Sequence, residues 1–289
     1  MGWINGGILR EVDKIIFEEL GLDESKAPPH YQRLEACQEI SDRSALQING
    51  RALIQKVYEK ITSNWHGSKS RGKENWRWKQ NTKSTKEKEN KSKEVILERL
   101  IVLTAGQKWV NQVPTASGLT KVIKPRESFD RRRAVDLVCQ CGDERYELIE
   151  LKVDQKAGSP LFAAMEILQY GLLYVFYRDN LQDLEPEKLK PETDSLLGAT
   201  SIDLKVLAPD SYYKNRKGED YKLESLEGII NEGLKAFLAD QKFIFKMHFE
   251  FQKFPRDFNL DSIIRERKSP DPRIEDALRR RMSVCSEPL

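Results

Sequence analysis

"AVDLVCQCGDERYELIELKV", residues 134–153, is the stretch whose reading decides the fold. Two apolar, strand-like runs flank Gly142-Asp143-Glu144, and they carry Asp136, Glu150 and Lys152 where a purely structural sheet would place Val or Ile. The pattern predicts a β-hairpin with a three-residue loop, a common connection. Opposed residue numbers in an antiparallel pair sum to a constant, and a loop centred on 143 makes that sum 286, which sets Asp136 across from Glu150. Side chains alternate between faces along a strand. Glu150 and Lys152 therefore project together, while Ile149, Leu151 and Val153 turn the other way into a core.

Two carboxylates held that close repel each other unless a cation sits between them. Hard oxygen ligands in this arrangement suit Mg²⁺, which takes one or two carboxylates and keeps waters that a substrate can displace. A neighbouring lysine can orient an attacking water or stabilise charge on a phosphate, with a pKa lowered if it lies near the metal. These residue types at these positions point to phosphodiester hydrolysis.

Working outward, "KEVILERLIVLTAG" predicts a helix closed by Gly106, since glycine takes the left-handed conformation past a helix end without a Cβ clash. "KWVNQVP" reads as a strand. After the hairpin a helix is expected over 160–178, with Ser159 as N-cap and Pro160 in its first turn. Its length approaches a membrane span, but Glu166 and Gln169 near its middle make it a core helix. "SIDLKVLAP" alternates cleanly as a strand, a helix follows over 222–240, and "FIFKMHFEFQKF" alternates Phe243, Phe245, Met247, Phe249 and Phe251 against polar partners. The fold class expected is α/β, a mixed sheet flanked by helices.

Asp136, then Glu150-Leu151-Lys152, resembles the D…E-x-K motif of the PD-(D/E)xK nuclease superfamily, the restriction-endonuclease-like fold. The resemblance covers roughly residues 94–210, with Val135 in place of the proline before the aspartate. It implies that Asp136 and Glu150 bind Mg²⁺, with Mn²⁺ able to substitute, and that the main-chain carbonyl of Leu151 joins them. It also implies that Lys152 assists the water. The family's first helix often adds an acid, which falls on Glu98 in preference to Glu94. In a RecB-type variant a glutamine on the helix after the motif lies by the site, which selects Gln169. That variant's Q-x-x-x-Y pattern is not met from Gln169, since Leu173 stands four residues on and the tyrosine is Tyr174.

Residues 1–64 read as a small helical unit, 65–93 as a basic linker, 94–260 as the nuclease core and 261–289 as a tail. Between Gly67 and Lys93 there are ten Lys or Arg against three Glu, a local charge of +7 in a chain of +3 overall. Such a field suits a polyanion. Tryptophans exposed among these cations would offer stacking platforms beside phosphate-neutralising charge. Lys73, Trp76, Arg77, Trp78 and Lys79 are thus candidate DNA contacts, together with Arg131, Arg132 and Arg133 just before the motif strand. Cys37, Cys139, Cys141 and Cys285 fit no zinc or redox spacing, and His30, His66 and His248 are scattered, which disfavours a zinc site or a Ser-His-Asp enzyme. The N-terminus shows no secretory signal, so a cytoplasmic protein is expected. The expected activity is that of a metal-dependent deoxyribonuclease, natural as a homodimer if it cuts both strands. The alternatives are a non-cleaving nucleic-acid-binding protein of the same fold and a nuclease acting on RNA.

Overall fold

The 134–153 hairpin stands inside a six-stranded mixed sheet whose strands neighbour one another in chain order. The computed structural model describes residues 7–22, 35–41, 46–65, 75–82, 92–118, 133–184 and 191–285. The helices among these are α1 (Val12–Glu19), α2 (Glu35–Ser41), α3 (Gly50–Asn64), α4 (Lys93–Ala105), α5 (Pro160–Asp179), α6 (Leu181–Leu184), α7 (Pro191–Leu197), α8 (Glu224–Asp240), α9 (Leu260–Glu266) and α10 (Pro272–Arg279). The strands are β1 (Trp109–Pro114), β2 (Ala134–Gly142), β3 (Arg145–Leu151), β4 (Ser201–Ala208), β5 (Lys246–Lys253) and β6 (Met282–Ser283). β1, β2 and β3 form an antiparallel meander, β3, β4 and β5 run parallel, and β6 closes antiparallel. α5 and α8 carry the parallel crossovers and cover one face, and α4, α9 and α10 cover the other, so the sheet is buried on both faces.

The expected register holds. Leu137 pairs with Ile149, Val138 with Leu148 and Cys139 with Glu147. The turn differs in detail: Gly142 pairs with Arg145, leaving Asp143-Glu144 as a two-residue loop with Glu144 at φ 54°. A slip in the ladder between Gln140 and Gly142 absorbs the odd residue, so the facing of the upstream side chains is unchanged.

Two hydrophobic clusters separate the faces. Val138, Leu148, Leu204 and Phe249 pack with α5, α8 and the amino-terminal helices, whereas Leu137, Ile149, Leu151 and Leu207 pack with α4, α9 and α10. Residues 8–61 contribute Ile8, Val12, Ile16, Leu53, Val57 and Ile61 to the first cluster, so the amino-terminal helices share one core with the sheet. α3 and α8 cross at Gly50 and Gly233, where a methyl on Gly233 would lie 2.6 Å from the Gly50 carbonyl. The carboxyl-terminal residues, expected as a tail, fold as α9, α10 and β6. Asp271 caps α10 by accepting from Arg273 N at 3.0 Å, Pro272 opens it, and Ile274, Ala277 and Leu278 bury one face.

α5 begins as expected, with Ser159 Oγ accepting from Phe162 N at 3.2 Å. It lies tight on the sheet at Gly171, where a methyl would come within 2.7 Å of Leu204 Cδ1. That close approach sets the depth at which Glu166, one to two turns earlier, meets β3. β5 is shorter than the aromatic alternation suggested, because Phe243 and Phe245 precede its first residue, Lys246.

Residues 75–82 correct an expectation. Trp76 is fully buried, donating its main-chain N–H to Pro114 O at 2.7 Å and meeting Tyr174 edge-on at 5.4 Å. Trp78 is half-buried and edge-on to Tyr146 at 5.7 Å. Gln80 Nε2 donates to Gly106 O and Trp109 O at 2.8 and 3.0 Å, and Asn81 N donates to Asn111 Oδ1 at 2.8 Å. The segment is a strap along the exposed edge of the sheet, with both indoles turned inward instead of free for base stacking. An indole buries a large apolar area, and the edge strand β1 leaves unpaired main-chain groups for a strap to satisfy. Arg77 is half-buried and Lys79 is exposed.

Candidate active site

β2 and β3 bring Asp136, Glu150 and Lys152 together where the sheet meets α4 and α5. The Leu151 main-chain N–H donates to Asp136 Oδ2 at 2.9 Å, which ties the aspartate to the motif strand. Lys152 Nζ donates to Glu150 Oε1 at 2.6 Å and to Glu166 Oε2 at 3.2 Å. The Tyr170 hydroxyl donates to the other oxygen of Glu166 at 3.3 Å. Glu150 and Lys152 are nearly sealed from solvent, at 4% and 6% exposure. Glu150 Oε2 is buried and receives no N–H or O–H donor, and the Glu166 carboxylate lies within hydrogen-bonding reach of Glu150.

α4 contributes two acids. Glu98 is buried and accepts from Gln112 Nε2 at 2.6 Å, and the charge of Asp136 acts on it; Glu94, one turn earlier and half-buried, is felt by both Asp136 and Lys152. Five carboxylates, Glu94, Glu98, Asp136, Glu150 and Glu166, thus share one neighbourhood with Lys152. Arg133 also reaches it, lowering the pKa of Glu166. Arg131, Arg132 and Lys73 lie outside the described residues.

The surplus of acid is legible in the titration. Burial first, then repulsion from Glu166 and Glu94, pushes Asp136 up to about 7 against the pull of Lys152 and the Leu151 N–H. Burial and Asp136 hold Glu98 and Glu150 well above the usual carboxylate range. Glu166 goes the other way: burial would raise it, but Lys152 and Arg133 lower it. Burial disfavours the charged form of Lys152, yet Glu150, Glu166 and Asp136 outweigh that and keep it an ammonium.

Gln169, expected at the site, is not part of this arrangement. It points to Asp13 of α1, with Nε2 to Oδ1 at 3.5 Å, and Tyr174 bonds the carbonyl of Leu196 at 2.8 Å. The helix faces the site one turn earlier, through Glu166 and Tyr170, which are four residues apart. The signal was present in the sequence: "EILQY" has the spacing of Q-x-x-x-Y, with glutamate at the first position. Gln112 carried no such signal, because nothing in "KWVNQVP" marks it for a turn of the backbone.

No family model, curated protein or solved structure matches this chain. The chemistry of the site is the guide to what it can do. The donor set suits a hard divalent cation: several carboxylate oxygens, one of them buried with no N–H or O–H donor, in a cluster whose negative charge exceeds its positive charge. Another grouping, Cys141, Glu147 and Asp203, brings ligand atoms within 4.8 Å of one another. There the charges are already matched, Glu147 by Lys205 and Arg281 and Asp203 by Arg145.

Proposed function

We propose that the chain is a metal-dependent nuclease of the restriction-endonuclease-like fold that hydrolyses phosphodiester bonds in DNA. The observation that carries this reading is the unbalanced acid cluster around Lys152, with Glu150 Oε2 buried and receiving no N–H or O–H donor. The element order supports it. α4, the antiparallel meander β1–β2–β3, the crossover helix α5 and the parallel β4 follow the arrangement that the D…E-x-K resemblance implies.

Asp136, Glu150 and Glu98 would hold Mg²⁺, with the Leu151 carbonyl beside them. A bound divalent cation polarises the phosphoryl oxygen and lowers the pKa of a coordinated water, supplying a nucleophile at neutral pH. The protein's own groups do the rest. Lys152, held by Glu150 and Glu166, is protonated at neutral pH, so it acts as a hydrogen-bond donor and positive charge toward water or phosphate, not as a proton acceptor. Glu166 anchors that ammonium, and Tyr170 anchors Glu166. Arg133, on the approach to β2, adds positive charge at the rim where a phosphate backbone would enter.

The test is cleavage of supercoiled, linear and single-stranded DNA and of RNA by the purified chain, with Mg²⁺, Mn²⁺ or EDTA, beside Lys152→Ala. Metal-dependent cutting of DNA that disappears in the variant supports the reading. Cutting of RNA alone would move the substrate. DNA retention without cutting of any substrate would sink the nuclease and leave a binding protein.

A further inference from the structure

We propose that Gln112 is a positioning residue: a strained turn of the backbone in β1 exists to deliver its amide to Glu98 and so fix that carboxylate at the cation site. The proposal rests on the nuclease reading.

Gln112 sits in the interior of a strand, yet its φ is 50°, in the left-handed region that side-chain-bearing residues rarely adopt. Such a conformation is strained and persists only where its surroundings enforce it. Two sets of contacts do so here. The β1–β2 ladder pairs Asn111 with Leu137 and Val113 with Val135, but skips the pair between them, Gln112 and Asp136. The strap grips β1 just before the kink, through Trp109 O and Asn111 Oδ1. Val110 and Val113, three residues apart, both enter the larger core, so the strand's two-residue alternation is broken between them.

What the kink achieves is the 2.6 Å hydrogen bond from Gln112 Nε2 to Glu98 Oε2. Glu98 is 1% exposed, and the Gln112 amide is the donor that fixes the direction of its carboxylate. The chemistry of the donor matters. A lysine would neutralise Glu98 and compete with a cation, and a glutamate would repel it. A neutral amide holds one oxygen in place and leaves the negative charge available. Residues that orient a metal-binding carboxylate in this way typically change metal affinity or activity by about 10–100-fold when replaced.

The test uses Gln112→Asn and Gln112→Gly in the full chain. Both residues accept a positive φ, and neither reaches Glu98. Three quantities are read: the melting temperature in EDTA, Mn²⁺ affinity by electron paramagnetic resonance, and cleavage rate against Mg²⁺ concentration. The expected result is melting at or above the wild-type temperature, about 10–100-fold weaker Mn²⁺ binding, and a cleavage defect that excess Mg²⁺ partly rescues. On a Glu98→Ala background, Gln112→Asn should change nothing further. Wild-type Mn²⁺ affinity and Mg²⁺ dependence in both folded variants would overturn the positioning role while leaving the nuclease intact, as would an undiminished effect without Glu98. Absence of Mn²⁺ binding by the wild type would overturn the cation site and the role together.

Discussion

Two buried lysines lie on opposite faces of the same sheet, and the difference between their surroundings separates scaffold from candidate site. Lys205 of β4 is held by Glu147 at 2.7 Å and Glu250 at 3.4 Å. Arg281 supplies a second cation to Glu147 at 3.0 Å while lying over the Trp109 ring, and Arg145 faces Asp203 at 3.5 Å. Burial raises the pKa of Glu147, but Arg281 and Lys205 outweigh it and the net shift is downward. Lys152 stands three positions along from Ile149 with five carboxylates around it, and Glu98 and Glu150 are shifted upward. Both lysines are buried among carboxylates. Charge balance is what distinguishes them: a matched cluster holds the fold together, and an excess of acid costs stability unless a cation arrives.

The largest effect should come from removing the site lysine. Lys152→Ala is expected to lower the cleavage rate by about 10²–10³-fold with DNA affinity retained, measured by single-turnover kinetics and a binding assay. The matching change on the other face, Glu147→Ala, should leave the cleavage rate per folded molecule unchanged. It should instead destabilise the chain by about 3–5 kcal/mol in denaturant melts, because it takes the carboxylate partner from Arg281 and leaves Lys205 only Glu250. If both substitutions chiefly destabilise, or both chiefly slow cleavage, the distinction between the two clusters fails.

Opposite pH slopes sharpen it. Asp136 titrates at about 7 in the folded chain against 3.8 ordinarily, so the folded state favours its neutral form. Its stabilising contribution is present at low pH and is lost as pH rises from about 4 to about 7. Glu147, shifted downward, contributes stability at neutral pH that is lost as pH falls through its ordinary value of 4.5 and below. Melting temperatures in EDTA should therefore drop between pH 5 and 7 for the wild type and stay flatter for Asp136→Asn. Mg²⁺ should raise melting temperature more at pH 7.5 than at pH 5, since binding requires the carboxylates to be ionised. A wild-type profile in EDTA as flat as that of Asp136→Asn would refute the assignment.

The smallest effect concerns the strap. Arg77→Ala with Lys79→Ala should weaken DNA binding similarly across sequences and reduce the dependence of log affinity on log salt by about 1 for each phosphate no longer neutralised. Trp76→Ala should unfold the edge instead, because the indole is core.

Much of this was legible in the chain. The hairpin register could be computed from residue numbers because an antiparallel pair has only one free parameter. The capping residues Ser159, Gly106 and Pro160 marked helix ends by local chemistry that needs no tertiary information. Asp136, Glu150 and Lys152 could be grouped because strand alternation fixes their side before any partner is known. Gln169 was misplaced by one turn because α5 is apolar nearly all round. Its rotation on the sheet is set by Gly171 against Leu204, two residues 33 positions apart in the chain. The tryptophans misled for a related reason: a basic, polar neighbourhood describes the sequence around Trp76, not the sheet edge that receives it.

The sequence by itself determined the helices and strands around the hairpin, the hairpin register and the acid–acid–lysine motif, since these follow from alternation, caps and turn chemistry within about twenty residues. Only the tertiary structure decided which helix turn faces the motif, that a strap covers β1, and that Gln112 bends to reach Glu98. Those outcomes depend on close approach between distant segments, where packing overrides the preferences of any single residue.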